Sequence, residues 1–191
     1  RDSDGNAILS DSVIIRDVPT GETINLTQSA DDETGTDNDD TFRGVQDEAF
    51  GDSDILNGGG GTDELIAKYD LAGGTGSDGN NNILGTTQNI ERVFVDVTLT
   101  DGNANSNEVQ VFDLDNMSDV QQLWNDGSTN SSNTASGNDD EVQFENVGLS
   151  TTVGIRDTGF DTEVQFADTS GNDDTASFVL DNVAATTSPE S

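Results

Sequence analysis

Residues Gly58-Gly59-Gly60-Gly61-Thr62-Asp63-Glu64-Leu65-Ile66 match the nine-residue template G-G-x-G-x-D-x-U-x, with U a large apolar residue, at every specified position. The chemistry in that spacing is cation binding. Glycines admit backbone conformations closed to other residues and can turn carbonyl oxygens toward an ion. Asp63 adds a hard, charged oxygen of the kind Ca²⁺ prefers. Leu65, two residues on, starts a strand with its side chain inward.

Two imperfect relatives flank this segment. Gly35–Arg43 has Gly35, Asn38, Asp40 and Phe42 at the first, fourth, sixth and eighth positions. Asn38 stands where a left-handed backbone would favour glycine. Gly76–Leu84 keeps Gly76, Gly79 and Ile83 but has Asn81 in place of the aspartate. Further oxygen-rich strings occur at Asp2-Ser3-Asp4-Gly5-Asn6, at Ser136-Gly137-Asn138-Asp139-Asp140 and at Ser170-Gly171-Asn172-Asp173-Asp174. Each reads either as an Asx-rich turn with solvated carboxylates or as a calcium loop. Adjacent carboxylates such as Asp139-Asp140 and Asp173-Asp174 repel unless a cation lies between them.

The elements that must position these groups are short strands. Thr23–Thr27 alternates, and so do Val93, Val95, Val97 and Leu99. The pairs Val109/Val111, Val142/Phe144, Val153/Ile155, Val164/Phe166 and Phe178/Leu180 continue the pattern, each bounded by Asp, Asn, Gly or Ser. Ala7–Leu9 and Val13–Ile15 are further apolar runs. The expectation is an all-β fold, a β-sandwich or β-solenoid with a Gly/Asp-rich calcium-binding segment and little helix. One helical turn is expected near 117–124, where Met117, Val120, Gln121 and Trp124 share a face. Trp124 reads as a core residue, and Asn125–Asp139 as a long loop. The chain divides into N-terminal strands (1–30), the Gly/Asp-rich segment (31–92) and a strand-rich region (93–191), the last two packed as one unit.

The charge is extreme. Twenty-nine Asp and ten Glu face five Arg and one Lys, giving a net charge of -33 over 191 residues. Such a chain repels itself unless cations screen it, and it also repels nucleic acid and anionic membranes. Asp, a turn former, outnumbers Glu, a helix former, which fits turns between strands. Adaptation to high salt is the other source of such acidity. There is no Cys and no His. Disulfides and the usual zinc, copper and haem sites are thereby excluded, as are the common nucleophile–base pairs. Paired carboxylates could hydrolyse a glycosidic bond, but nothing singles out two of them, so no enzyme is expected. No stretch has the length and apolarity of a membrane span. The start at Arg1 suggests a processed protein or a piece of a longer one.

From Leu26-Thr27 through Thr34–Phe42, Asp54–Leu65, Asn89–Val93 and Thr151–Ile155, the chain resembles the RTX-related surface-layer proteins and large adhesins of Gram-negative bacteria. The resemblance spans roughly 22–183, and its specific part is 34–66. It implies a secreted surface protein that leaves the cell unfolded through a type I channel and folds on meeting external Ca²⁺. It also implies a lattice or filament of identical copies. Carried over by motif, the calcium ligands would be Gly58 and Gly60 through carbonyls and Asp63 through its carboxylate. By the same alignment they would include Gly35, Asp37 and Asp40, then Gly76, Asp78 and Asn81. Several Ca²⁺ ions are expected, with an adhesin module binding a surface glycan or another cell as the alternative.

Overall fold

The computed structural model describes residues 20–47, 49–71, 81–99, 109–130, 141–158, 161–171 and 174–183. Within them the chain is built from strands, and no α-helix occurs, so none is long and apolar enough to cross a membrane. The largest sheet holds, in spatial order, β1 (Thr23–Asn25), β3 (Thr41–Gly44), β5 (Glu64–Leu71), β8 (Arg92–Leu99), β10 (Gln122–Asp126), β13 (Thr152–Arg156) and β15 (Ser177–Asp181). The short β11 (Thr129–Asn130) also pairs with β8. A second sheet runs β2 (Asp32–Thr34), β4 (Ile55–Asn57), β7 (Thr86–Gln88). A third runs β14 (Asp161–Phe166), β12 (Glu141–Val147), β9 (Val109–Asp113), β6 (Asn81–Ile83).

Every pairing between these strands is parallel. Parallel neighbours cannot be joined by a tight hairpin, so the chain must travel away and return. It does so in sequence order, adding one strand at a time to the large sheet. Thr23, Thr41, Glu64, Arg92, Gln122, Thr152 and Ser177 are successive register neighbours. One circuit therefore takes 18 residues at the start, from Thr23 to Thr41, and 30 from Arg92 to Gln122.

Alternation along each strand becomes stacking across the sheet. Phe42, Leu65, Val93, Leu123 and Val153 form one column, each fully buried. Ala67 and Val95 form the next inward column, and Tyr69 and Val97 the third. Opposite them stand Phe112 and Phe144 of the third sheet, with ring centroids 6.4 Å apart and edge-to-face. Phe112 also meets Phe50 and Tyr69, and the Tyr69 hydroxyl donates to the Phe50 carbonyl at 3.0 Å. The buried cluster takes in Leu26, Leu65 and Val153 alike, so residues from all three expected segments share one core.

Two expectations are corrected. The stretch from Met117 to Trp124 is not helical: Met117 makes an isolated parallel bridge to Thr87, and Gln122–Asp126 is strand β10. The expected loop after Trp124 begins instead inside β10 and includes β11. Register pairing with Val93 and Val153 holds Leu123 inward, and that satisfies more backbone and apolar surface than one helical turn could. The runs Ala7–Leu9 and Val13–Ile15 and the string Asp2–Asn6 lie outside the described residues.

Candidate functional site: a carboxylate ladder at the corners

The Gly58–Ile66 motif forms the corner between β4 and β5. Its geometry accounts for the residues the template specifies. Gly58 lies so close to the next circuit that a Cβ would stand 1.9 Å from the Asn89 carbonyl oxygen and 2.4 Å from Asp63 Oδ2. Gly59 and Gly61 have φ of 91° and 115°, the left-handed region that favours glycine. Leu65 enters the core column.

Asp63 is fully buried beside that corner. Its Oδ1 accepts the amide of Asp40 at 2.6 Å, and its own amide donates to Glu91 Oε2 at 2.8 Å. One circuit earlier, Asp40 (1% exposed) does the same, with Oδ1 accepting the Glu22 amide. These acids occupy one position, the residue just before the strand. Each carboxylate holds the amide of its counterpart in the preceding circuit. The second corner repeats the rule: Asp54, just before β4, accepts the amide of Asp31, just before β2, at 2.8 Å. Asp54 Oδ2 also accepts the Gly51 amide at 2.7 Å.

The ladder members differ in how far they are satisfied. Both oxygens of Asp40 are occupied, by the Glu22 amide and by the amide and hydroxyl of Thr36. Burial pushes its carboxyl up, but those hydrogen bonds outweigh burial and hold it below the usual aspartate value. Asp63 Oδ2, in contrast, is buried with no hydrogen-bond partner. Burial raises the Asp63 carboxyl, and the nearby charges of Asp40, Glu91 and Asp39 add to the rise. Asp54 is also raised, by burial first and by Asp31 in addition, against its two amide bonds.

For calcium, the fit differs between the Asp63 rung and the Asp40 rung of this corner. Asp63 Oδ2 is a buried carboxyl oxygen with no hydrogen-bond partner; it and the Asn89 carbonyl both face the missing side chain of Gly58. Gly35 and Asp40 offer no such oxygen, because Asp40 is saturated. Asp37 is exposed, and Gly60 packs against its backbone. Among the described residues no three acidic side chains converge to hold an ion by themselves.

The remaining expected ligands fall elsewhere. Asn81 does not occupy the corner: it opens strand β6 and pairs with Gln110 in the third sheet. Glu91 takes the equivalent place after Asp63, and sequence reasoning missed it because its corner is three residues shorter and lacks the glycines. Asn38 has no positive φ; Asn89 and Asp119 do, three residues before β8 and β10, as Gly61 is before β5. Gly76, Asp78, Asp139, Asp140 and Asp173 lie outside the described residues, and Asp174 is exposed.

Trp124 is not a core residue but stands half-buried on the outer face of the large sheet. It stacks on Phe94 at 6.3 Å and lies against Gly154, where a Cβ would stand 2.1 Å from its ring. The Arg156 guanidinium lies over both rings, 5.4 Å from Trp124 and 5.8 Å from Phe94, and is fixed by two hydrogen bonds to Asp126. Compared with known proteins, the chain matches no family model, no curated protein and no solved structure.

Proposed function

We propose that this chain is a structural protein of the cell exterior: a parallel β-solenoid whose corners are clamped by Ca²⁺ and which assembles with copies of itself into a surface layer or filament. The observation that carries the reading is the ladder of acids in which the buried Asp63 keeps one oxygen, Oδ2, without a hydrogen-bond partner. A buried carboxylate surrounded by Asp40, Glu91 and Asp39 destabilises the fold unless something positive joins it. Exclusively parallel pairing and one strand added per circuit support a solenoid over a sandwich, whose sheets are built from antiparallel strands. Asp31, Asp39, Asp40, Asp54 and Asp63 each accept a backbone amide, which is a scaffold's use of charge.

At the β4–β5 corner Asp63 would hold the ion through Oδ2, with the Asn89 carbonyl beside it. The ion would supply charge neutralisation and nothing more. Secretion through a type I channel and folding outside the cell belong to the same reading, because a chain of net charge -33 gains most from ions where calcium is plentiful. A glycan-binding adhesin is less favoured: the Phe94–Trp124 aromatic surface is already roofed by Arg156.

Thermal melts at fixed ionic strength in Ca²⁺, Mg²⁺ and chelator test the reading, alongside titration calorimetry. Ca²⁺ is expected to raise the midpoint well above the Mg²⁺ value, and Asp63→Asn to remove most of that increment. Equal midpoints in all three would sink the calcium clamp and leave salt adaptation as the source of the acidity.

A further inference from the structure

We infer that the open edge of β15 receives β1 of a second copy, so that copies stack end to end along the axis of the large sheet. The proposal rests on the self-assembling reading above and names the surface that reading needs. Phe178 continues the inward column of Phe42, Leu65, Val93, Leu123 and Val153. The earlier five are fully buried, whereas Phe178 is 53% exposed and Leu180, two residues on, is 68% exposed. Four of the six large apolar residues left exposed in the described structure are Phe178, Val179, Leu180 and Val183. Among the described residues β15 pairs only with β13, and its other edge has no strand against it. Protective charge is thin there: Asp181 is the one charged residue of the strand, and it stands at the end.

The occupant must bring a parallel strand with apolar residues two apart. The other edge of the same sheet does so. On β1, Ile24 faces the Phe42 column, and Leu26 follows two residues later, its amide donating to the Arg43 carbonyl at 2.9 Å. Continued across the junction, the register places Ile24 beside Phe178, Asn25 beside Val179 and Leu26 beside Leu180. The corner after β15 already follows the pattern of the circuit before it. Asn182 and Asp157 both have φ of 52°, and the Asn182 side-chain amide donates to Asp157 Oδ1.

The test uses the full chain, whose lack of cysteine makes single thiols clean reporters. Val179→Cys and Asn25→Cys proteins are mixed and oxidised in raised salt with Ca²⁺, to screen the acidic copies. Electron microscopy and sedimentation follow assembly. The expected result is linear multimers of the unmodified chain, a mixed disulfide forming ahead of either self-disulfide, and loss of the multimers in the Phe178→Asp/Leu180→Asp double variant. Both substituted residues are exposed, and an unchanged melting midpoint checks the fold. A Val179→Cys self-disulfide that dominates would overturn the head-to-tail register in favour of tail-to-tail pairing. A double variant that assembles like the parent would overturn this surface and leave self-assembly standing. A parent chain that stays monomeric throughout would overturn both.

Discussion

Asp40 and Asp63 sit at the same position of consecutive circuits, yet their charges do opposite things. Asp40 is held ionised by three donors, so Asp40→Asn, which replaces an acceptor by a donor facing amides, is expected to cost about 1–3 kcal/mol. Asp63→Asn, in low salt without Ca²⁺, is expected to be neutral or stabilising, because it removes a charge whose environment disfavours it. Urea denaturation of the two variants side by side checks the contrast; equal losses would refute it. The same asymmetry sets the pH response. Asp63 and Asp54 have folded values above the ordinary 3.8, so they bind protons more readily folded than unfolded, and stability rises as pH falls through their folded values toward 3.8. Asp40 has a folded value below 3.8, so its contribution is intact above 3.8 and disappears as pH falls through the folded value. The denaturation midpoint in the absence of Ca²⁺ should therefore pass through a maximum on the acid side of neutrality, and Asp63→Asn should flatten the rise toward it. The glycines divide in the same way. Gly58→Ala drives a Cβ into the Asn89 carbonyl and is expected to destabilise by about 1–3 kcal/mol, whereas Gly60→Ala meets its nearest atom at 3.5 Å with no positive φ and should be tolerated. At this scale the template pointed to Asp63 and Gly58, and the structure brings Asp63 Oδ2 beside Gly58. Their partners were not legible: Glu91 lies 28 residues on, and only the circuit brings its side chain to the Asp63 amide.

Strands were largely legible, because inward and outward residues alternate along a half-buried strand whatever its neighbours are. Val93, Val95 and Val97 are buried as their spacing required. Pairing was not legible, since alternation is the same for parallel and antiparallel neighbours. The 117–124 stretch failed for a related reason: apolar residues three and four apart suit a helix, yet Met117 and Leu123 serve two separate strand stacks. Gly154 shows what a single residue can do to such a stack. It leaves the space in which the Trp124 ring lies, under Arg156 and against Phe94. Gly154→Ala should displace the ring and weaken the Arg156 contact. Since Trp124 is the only tryptophan, its fluorescence reads this directly: emission should shift to longer wavelength, with a stability loss of about 1 kcal/mol. An unchanged spectrum would mean that the ring does not depend on that space.

Over the described structure, each strand of the large sheet pairs with strands of the circuits before and after it, so stability accrues along one dimension. The middle circuits, with β5 and β8 paired over eight residues and the Phe42–Val153 column closed on both sides, have neighbours to lose on either face. Among the described strands, the β15 circuit has a paired neighbour on one side only. Its β15 is exposed at all five residues; among the described residues it pairs with β13, its Asp181 carbonyl accepts the Asp157 amide at 3.1 Å, and Phe178 meets Phe166 edge-to-face. In the monomer, native-state hydrogen exchange should therefore be graded, slowest at Leu65–Tyr69 and Val93–Val97 and fastest at Phe178–Leu180. Deleting residues from 157 onward should remove one circuit and leave the β5–β8 amides protected. The edge pairing inferred above makes the gradient depend on concentration. Once copies stack, β15 becomes an interior strand, and its amides should slow toward those of β13 while the β5 and β8 amides hardly change. Uniform protection in a dilute monomer would contradict the one-dimensional account. A β15 that stays unprotected in the assembled state would show that assembly does not proceed through this edge.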